Sequence, residues 1–492
     1  MTDADPLADR RSRAPTDREE SPAPAAAAID SERDDPEVAP SPPEHDGLPL
    51  LGSTPALLRE GLAFGDRLQE RGDVVAYDAL GERFVAVFDP ALVEAVLVSR
   101  SDEFRKGEYE TEFLSLLAPE GLATVEGERW RRQRRLLQPA FTPARLGTFA
   151  ETMVDDAATM TDGWADGEVV SLRDDLSSYT LSVLARTLLD VDLDAERGAT
   201  VREAADSIAG LTTSAWSFAP DWLPTPPERR YRRAMADLDD LVGTLIEERR
   251  GAPGDGSEHD DLLTAMLDAA FPDGSTMDES TVRDQLVTFL FAGHETTATA
   301  LSYACWLLGG HPQVRSRLDE ELAGVLDGRD PTLADLPALD YTEAVVREAM
   351  RLFPPVYSLY RQPKTDTTLG GYAIPADATL QLATYHVQRD SRWWDAPGEF
   401  RPERWLSGDF ESGSGGDGGV SDDGDADRPE YAYFPFGGGP RHCIGMRFAT
   451  METKLALATI ARRVRFERAG AVEPAPRLVL DPGEVRMRVR TR

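Results

Sequence analysis

Apolar positions along this chain change period from region to region, and the changes outline its architecture. From about residue 90 to 350 they recur every three to four positions, the helical spacing, with breaks at proline and glycine. The stretch VVAYDALGERFVAVFD (74–89) alternates and turns instead, which predicts a β-hairpin. TDTTLGGYAIPADATLQL (365–382) predicts further short strands, and VLDPGEVRMRV (479–489) a hairpin around Pro482-Gly483. The longest periodic run, TMDESTVRDQLVTFLFAGHETTATALSYACWLLGGHP (276–312), predicts one helix of about 32 residues, about 48 Å at ~1.5 Å each. Thr276 and Glu279 stand in capping-box spacing at its start, and Gly309-Gly310 with Pro312 stop it. From Leu286 to Leu308 it is apolar nearly all round, so it belongs in the core. The expected fold class is mainly α with a minor β region.

Two segments stand outside this pattern. Residues 1–46 are Pro, Ala, Asp and Glu with almost no large apolar side chains, and are expected to be disordered ahead of an ordered domain over 47–492. Residues 408–430 are acid and glycine, a flexible insertion. Charge then narrows the setting. Lys and Arg number 53 against 88 Asp and Glu, a net charge of −35, and only Lys106, Lys364 and Lys454 are lysines. An acidic, lysine-poor surface stays hydrated and dispersed in concentrated salt, which suggests a salt-loving microbe. It disfavours nucleic acid as a partner. No run of apolar residues is long enough to span a membrane. The opening MTDADPLADRRSR has no apolar signal core, so the expected location is cytoplasmic.

Candidate chemistry sits in five places. FPFGGGPRHCIG (434–445) surrounds Cys443 with glycines and prolines, and the chain's only other cysteine is Cys305 in the long helix. A thiolate needs donors or a metal nearby, and consecutive glycines offer approachable amides. Arg441 suits a bound carboxylate. With no second cysteine nearby and no clustered histidines, one thiolate on one metal axial position fits heme iron best. AGHETT (292–297) places Glu295 and Thr296 inside the apolar helix. The alternative there is a solvent-facing acid beside a threonine bonded to its own backbone. EAMR (348–351) spaces Glu348 and Arg351 on one helical face, PERW (402–405) adds Arg404, and GERWRRQRRLLQPAF (127–141) sets Trp130 and Arg134 one turn apart. Each of these three is also common as a solvated surface pattern.

In this order the motifs resemble the cytochrome P-450 superfamily, over residues 47–492. The resemblance implies that fold, a triangular helical domain with a long central helix and small sheets. It implies a heme b (iron protoporphyrin IX) cofactor with Cys443 as thiolate ligand. Arg441, Trp130, Arg134 and Arg361 would hold the propionates, and Phe436 would pack under the porphyrin. Gly437, Gly438 and Gly445 belong to the cysteine loop, where Gly437, Gly438 and the loop amides would bond the sulfur. Glu295 and Thr296 would relay protons to bound O2 at a gap opened by Gly293, while Glu348, Arg351 and Arg404 would form a structural triad.

The implied activity is monooxygenation of a hydrophobic small molecule of fatty acid, terpenoid or carotenoid class. Expected pocket walls are Phe113, Leu117, Phe289, Ala292, Val356, Tyr357 and Leu359. WSFAPDWLPTPPERR (216–230) resembles the family's lid, with membrane contact as its alternative. With no flavin or iron–sulfur signature in the chain, electrons would come from a soluble ferredoxin and ferredoxin reductase, docking near Arg131, Arg132 and Arg135. A peroxide-driven peroxygenase and a non-catalytic heme sensor on the same fold are the alternatives.

Overall fold

The structure is a computed structural model and describes residue 36 and residues 39–213, 225–251, 261–268, 271, 274–406 and 428–492. Residues 1–35, most of the 408–430 insertion and residues 216–224 of the expected lid lie outside the described residues.

The predicted first hairpin forms from β1 (Val74–Ala79) and β2 (Glu82–Val87). They pair antiparallel with Ala79 opposite Glu82, and Leu80 and Gly81 turn the chain at positive φ. They join β8 (Thr379–Leu382), β5 (Leu359–Pro363) and β3 (Phe104–Arg105) in one sheet of order β1-β2-β8-β5-β3. A second sheet runs β4-β12-β9 (Val169–Ser171, Arg486–Thr491, Val464–Arg468). Strands β6 (Thr367–Leu369) and β7 (Tyr372–Ile374) make a hairpin turned by Gly370 and Gly371, as the sequence predicts.

Order starts before residue 47. Ala76 N–H donates to Pro43 O at 2.8 Å, His45 N–H to Ala76 O at 2.9 Å and Ala373 N–H to Pro40 O at 2.9 Å, so residues 40–45 are tied to β1 and to the β6-β7 hairpin. A proline-rich segment satisfies its carbonyls this way without needing a core of its own. The hairpin expected around Pro482-Gly483 does not form either. The chain does turn there, with Gly483 at φ +69 and its amide bonded to Asp481. The flanks part, however: β11 (Leu480–Asp481) pairs with β10 (Ala475–Pro476), while β12 goes to β4 and β9.

The helices that position the site are α1 (Gly127–Leu137), α2 (Ala150–Asp162), α3 (Leu172–Leu188), α4 (Ala195–Thr213), α5 (Pro226–Gly251), α6 (Glu279–Gly310), α7 (Asp340–Leu352) and α8 (Met446–Arg463). Residues 226–230, assigned to the lid from sequence, are the first turns of α5; Pro226 and Pro227 suit a helix start, where no intrahelical N–H is needed. The long helix α6 has the expected length of 32 residues. Its cap is Asp278, whose carboxylate accepts from Thr281 N–H at 2.7 Å, in place of the Thr276/Glu279 box.

Helix α6 runs through the main hydrophobic core and packs most extensively along α3. Gly293 explains how closely: a Cβ there would overlap Leu184 Cδ1. The Thr180 hydroxyl donates across the same seam to the His294 carbonyl at 3.0 Å. Gly293 therefore admits a neighbouring helix, and α6 continues through it without a break. Gly293→Val is expected to destabilise the fold by about 1–3 kcal/mol through overpacking. In urea titrations, combining it with Leu184→Ala should recover part of that loss, giving a positive coupling in the double-mutant cycle.

Candidate active site

Cys443 lies in the loop between the short helical turn Gly439–Arg441 and the N-terminus of α8. Its backbone N–H donates to Phe436 O at 3.0 Å, which folds the loop back on itself. Cys443 is exposed as a residue, whereas Cys305 is buried in α6 with its thiol pushed up to about 12 by burial. Surrounding protein also raises the Cys443 thiol. The Gly445 amide, hydrogen-bonding the thiol, and the Arg134 charge pull the other way. Gly445 is also the N-cap of α8, an 18-residue helix whose positive end favours a thiolate.

The glycines serve close packing. A side chain on Gly439 (φ +61) would overlap Leu97 O, and one on Gly438 would overlap the Tyr431 ring. Gly437 has φ +71 and meets Leu359, so that residue abuts the cysteine loop. The amide placed on the sulfur is Gly445's; Gly437 N–H is spent on Phe434 O at 2.9 Å.

A cluster of cations gathers beside this loop. Arg441 donates to Val125 O at 2.9 Å, pairs with Glu126 at 2.7 Å and stacks over Trp130 at 4.5 Å. Arg134 covers the same indole at 5.9 Å and donates to His442 O at 2.8 Å. Arg361 donates to Tyr360 O at 2.7 Å and lies 3.7 Å from Glu110. Lys106, which sequence reasoning missed, is buried against Glu110 at 2.7 Å. Burial brings Arg441 down to about 10, with Arg361 and Arg134 adding to the effect against Glu126 and Glu110. Lys106 is lowered in the same way, by burial and then by Arg361 and Arg441, against Glu110. Four cations crowd two carboxylates here, a surplus suited to a bound dianion.

Glu348, Arg351 and Arg404 converge in the core. Arg351 holds both Glu348 oxygens at 2.9 Å, and Arg404 and the Trp405 indole add bonds of 2.9 Å each. Burial alone would push the Glu348 carboxyl up, but Arg351 and Arg404 outweigh it and hold it low. Arg351 also donates to Gln388 O at 2.9 Å. The Gln388 side chain takes the Phe434 amide at 3.0 Å and returns its own NH2 to Met350 O at 3.0 Å. The triad is thus wired to the first residue of the cysteine loop through Gln388, a residue whose surroundings TYHVQRD gave no warning of it.

On α6 the buried helix opens at one face: Ala292 is exposed, with Thr288 and Thr296 half-buried one turn to either side. The Thr296 hydroxyl donates to Ala292 O at 2.8 Å, the local bond weighed as an alternative from sequence. Glu295 is ion-paired with Arg173 of α3 at 2.9 Å rather than solvated. Phe289 is buried and stacks on Phe141 at 5.8 Å, and Phe141 in turn lies against Gly445, so α6 and the cysteine loop share this aromatic bridge. Leu117 is buried as well; of the expected walls, Phe113, Ala292, Val356, Tyr357 and Leu359 keep open faces.

Residues 40–486 match the family model described as Cytochrome P450. The chain belongs to the cytochrome P450 family. It is 36% identical over 85% of its length, and 88% of the relative's, to cyclooctat-9-en-7-ol 5-monooxygenase of Streptomyces melanosporofaciens. It is 33% identical over 90% of its length, and 96% of the relative's, to pentalenene oxygenase of Streptomyces avermitilis. The solved structure of retinoic acid bound cyanobacterial CYP120A1 superposes with TM-score 0.80 and 26% identity, over 92% of this chain and 100% of that one.

The chain is therefore a cytochrome P450 monooxygenase with heme b as cofactor. The residues present fit that group. Cys443 is the one accessible thiol of the described cysteines, and the cation surplus matches the charge of two propionates. Among the described residues no helix is long and apolar enough to cross a membrane.

Glu348→Gln leaves two buried cations facing a neutral partner and is expected to lower the unfolding free energy by about 3–5 kcal/mol at neutral pH. Because the folded carboxyl is held low, its contribution is full above the ordinary carboxylate value and is lost as pH falls through the depressed one. Denaturant titrations at stepped pH should show the wild-type advantage shrinking over that interval.

Proposed function

We propose that this P450 hydroxylates an apolar terpenoid, using electrons from a soluble ferredoxin and its reductase in the cytoplasm. The observation that carries the substrate class is the open face of α6 at Ala292, taken with the half-open Phe113, Val356, Tyr357 and Leu359. Apolar walls without a charged anchor favour a hydrocarbon or alcohol over a fatty acid. Two relatives named for cyclooctat-9-en-7-ol and pentalenene support the terpenoid assignment over a carotenoid.

Heme, when bound, supplies dioxygen activation and oxygen transfer. The chain's own part is to hold and protect that chemistry. Cys443 would provide the thiolate ligand; Arg441, Arg134, Trp130, Arg361 and Lys106 would hold the propionates; Phe436 would pack against the ring. Glu295 would hold a proton beside Thr296, and the Thr296 hydroxyl, now spent on Ala292 O, would be free to pass it into the pocket once that local bond opens. The apolar walls exclude water.

For the electron donor, the exposed Arg131 and Arg135 on α1 form the docking charge. Arg132 does not belong to that face, because it stacks over Phe271 at 4.1 Å and donates to Ser275 at 2.8 Å. The −35 net charge supports work in concentrated salt.

The test is a Soret titration with a panel of diterpene and sesquiterpene hydrocarbons and alcohols, then turnover with a ferredoxin, its reductase and NADPH. A spin-state shift and a product heavier by one oxygen are expected. Arg131→Glu with Arg135→Glu should slow ferredoxin-driven reduction by about tenfold, with reduction by dithionite unchanged. Binding of fatty acids alone would reject the substrate class. Unchanged reduction in the double variant would reject the docking face, and turnover with peroxide only would favour the peroxygenase.

A further inference from the structure

The two oxygens of Glu295 have different surroundings. Oε1 accepts from the Arg173 guanidinium at 2.9 Å, and Arg173 is braced by Asp481 at 3.3 Å. Oε2 faces His294, whose Nε2 is 3.6 Å away. The His294 ring is 0% exposed, and its Nδ1 is hydrogen-bonded to Leu290 O. A carbonyl only accepts, so Nδ1 carries the hydrogen and the neutral ring presents a lone pair at Nε2. That Nε2 has no hydrogen-bond partner. Buried polar atoms are rarely left so, and two acceptors face each other here unless a proton lies between them.

We propose that His294 is a positioning residue of the proton relay: when a proton arrives on Glu295 Oε2, a small rotation closes the 3.6 Å gap and Nε2 accepts that O–H, aiming the acid at Thr296. This rests on the relay reading given above for Glu295 and Thr296. One proton enters from solvent onto Oε2, one leaves by way of Thr296, and Glu295 returns to its carboxylate pair with Arg173; no electrons move in the exchange. The solvent side of the network is open, since the Asp206 side chain is 54% exposed and lies 4.0 Å from Arg173.

The surroundings keep the ring able to accept. The charged groups acting on it are Glu295 on its own helix, Arg173 on α3 and Arg202 on α4, while Asp206 on α4 and Asp481 on β11 act on Arg173. Burial lowers the His294 pKa, Glu295 opposes this, and Arg202 and Arg173 add to it, so the ring is neutral near pH 7. The Thr180 bond to the His294 carbonyl, at 3.0 Å, fixes the backbone that aims it. A histidine filling space in the core would have both ring nitrogens satisfied or turned to water. This one spends a nitrogen on its own helix and points the other at the relay acid.

The experiment uses the holoenzyme in two ways. The chain has six histidines, so 15N-histidine labelling of the diamagnetic reduced carbon-monoxide form gives a resolvable set. His294 is expected with a protonated Nδ1 and a bare Nε2 across about pH 6–8, its Nε2 resonance moving in Glu295→Gln. A protonated Nε2 in the wild type overturns the proposal.

The second readout is the share of NADPH recovered as hydrogen peroxide, with a plant-type ferredoxin and its reductase as electron source. His294→Phe keeps the ring volume and removes the acceptor; it is expected to raise the peroxide share several-fold and flatten its pH dependence. His294→Gln, whose amide oxygen accepts, is expected to restore both. A peroxide share and pH profile equal to wild type in His294→Phe, with Glu295→Gln still raising the share, overturns the role of His294 alone. No change in Glu295→Gln or Thr296→Ala overturns the relay reading itself.

Discussion

The structure depends on the buried charge of Glu348. A carboxylate with no exposed surface is tolerable only if its oxygens are fully used, and here two guanidinium groups, an indole and the Arg401 amide use them. Arg351 lies on the same helix, but Arg401, Arg404 and Trp405 come from a distant segment, so satisfying one ion brings α7, the PERW turn and the residue before it into fixed register. Arg351 extends the constraint to Gln388, Pro397 and Glu399 carbonyls. Gln388 carries it to Phe434, where the cysteine loop begins. The position of Cys443 is thus set partly by an ion pair that does no chemistry.

The loop itself solves an electrostatic problem. Protein packed around the sulfur raises its pKa, which disfavours the thiolate. The Gly445 amide, the Arg134 charge and the α8 N-terminus favour it, and coordination to heme iron would complete the change. Beside the cysteine loop, Arg441 and Lys106 are depressed by burial and by cationic neighbours. A cluster of this kind is costly alone and relaxes when a dianion arrives. Propionates bound there would couple heme binding to folding.

Much of this was legible in the chain because the signals are local. Helix α6 announces itself by an unbroken apolar period, and the cysteine loop by glycines that only close backbone contacts require. Glu348 and Arg351 share a helical face, so their spacing survives in sequence even though burial is what gives it meaning. What stayed hidden depends on contacts between distant segments. Arg173 meets Glu295 across 122 positions and Gln388 meets Phe434 across 46. Lys106 had a faint signal, as one of three lysines in an arginine-rich chain. The turn at Pro482-Gly483 misled for the opposite reason: turn residues report a reversal of direction, and strand pairing is decided by which edge stands open nearby. Asp278 displaced the Thr276/Glu279 box because Asp and Thr are near-equal caps and position decides.

Everything above turns on Cys443 as the thiolate ligand of a heme held by this scaffold. The most direct measurement is the absorption spectrum of the reduced, carbon-monoxide-bound protein in concentrated salt, for wild type and Cys443→Ser. A strongly red-shifted Soret band of the thiolate type is expected in wild type, with its loss in the variant. A wild-type band of the histidine or neutral-thiol type, or a thiolate band that persists without Cys443, would contradict it.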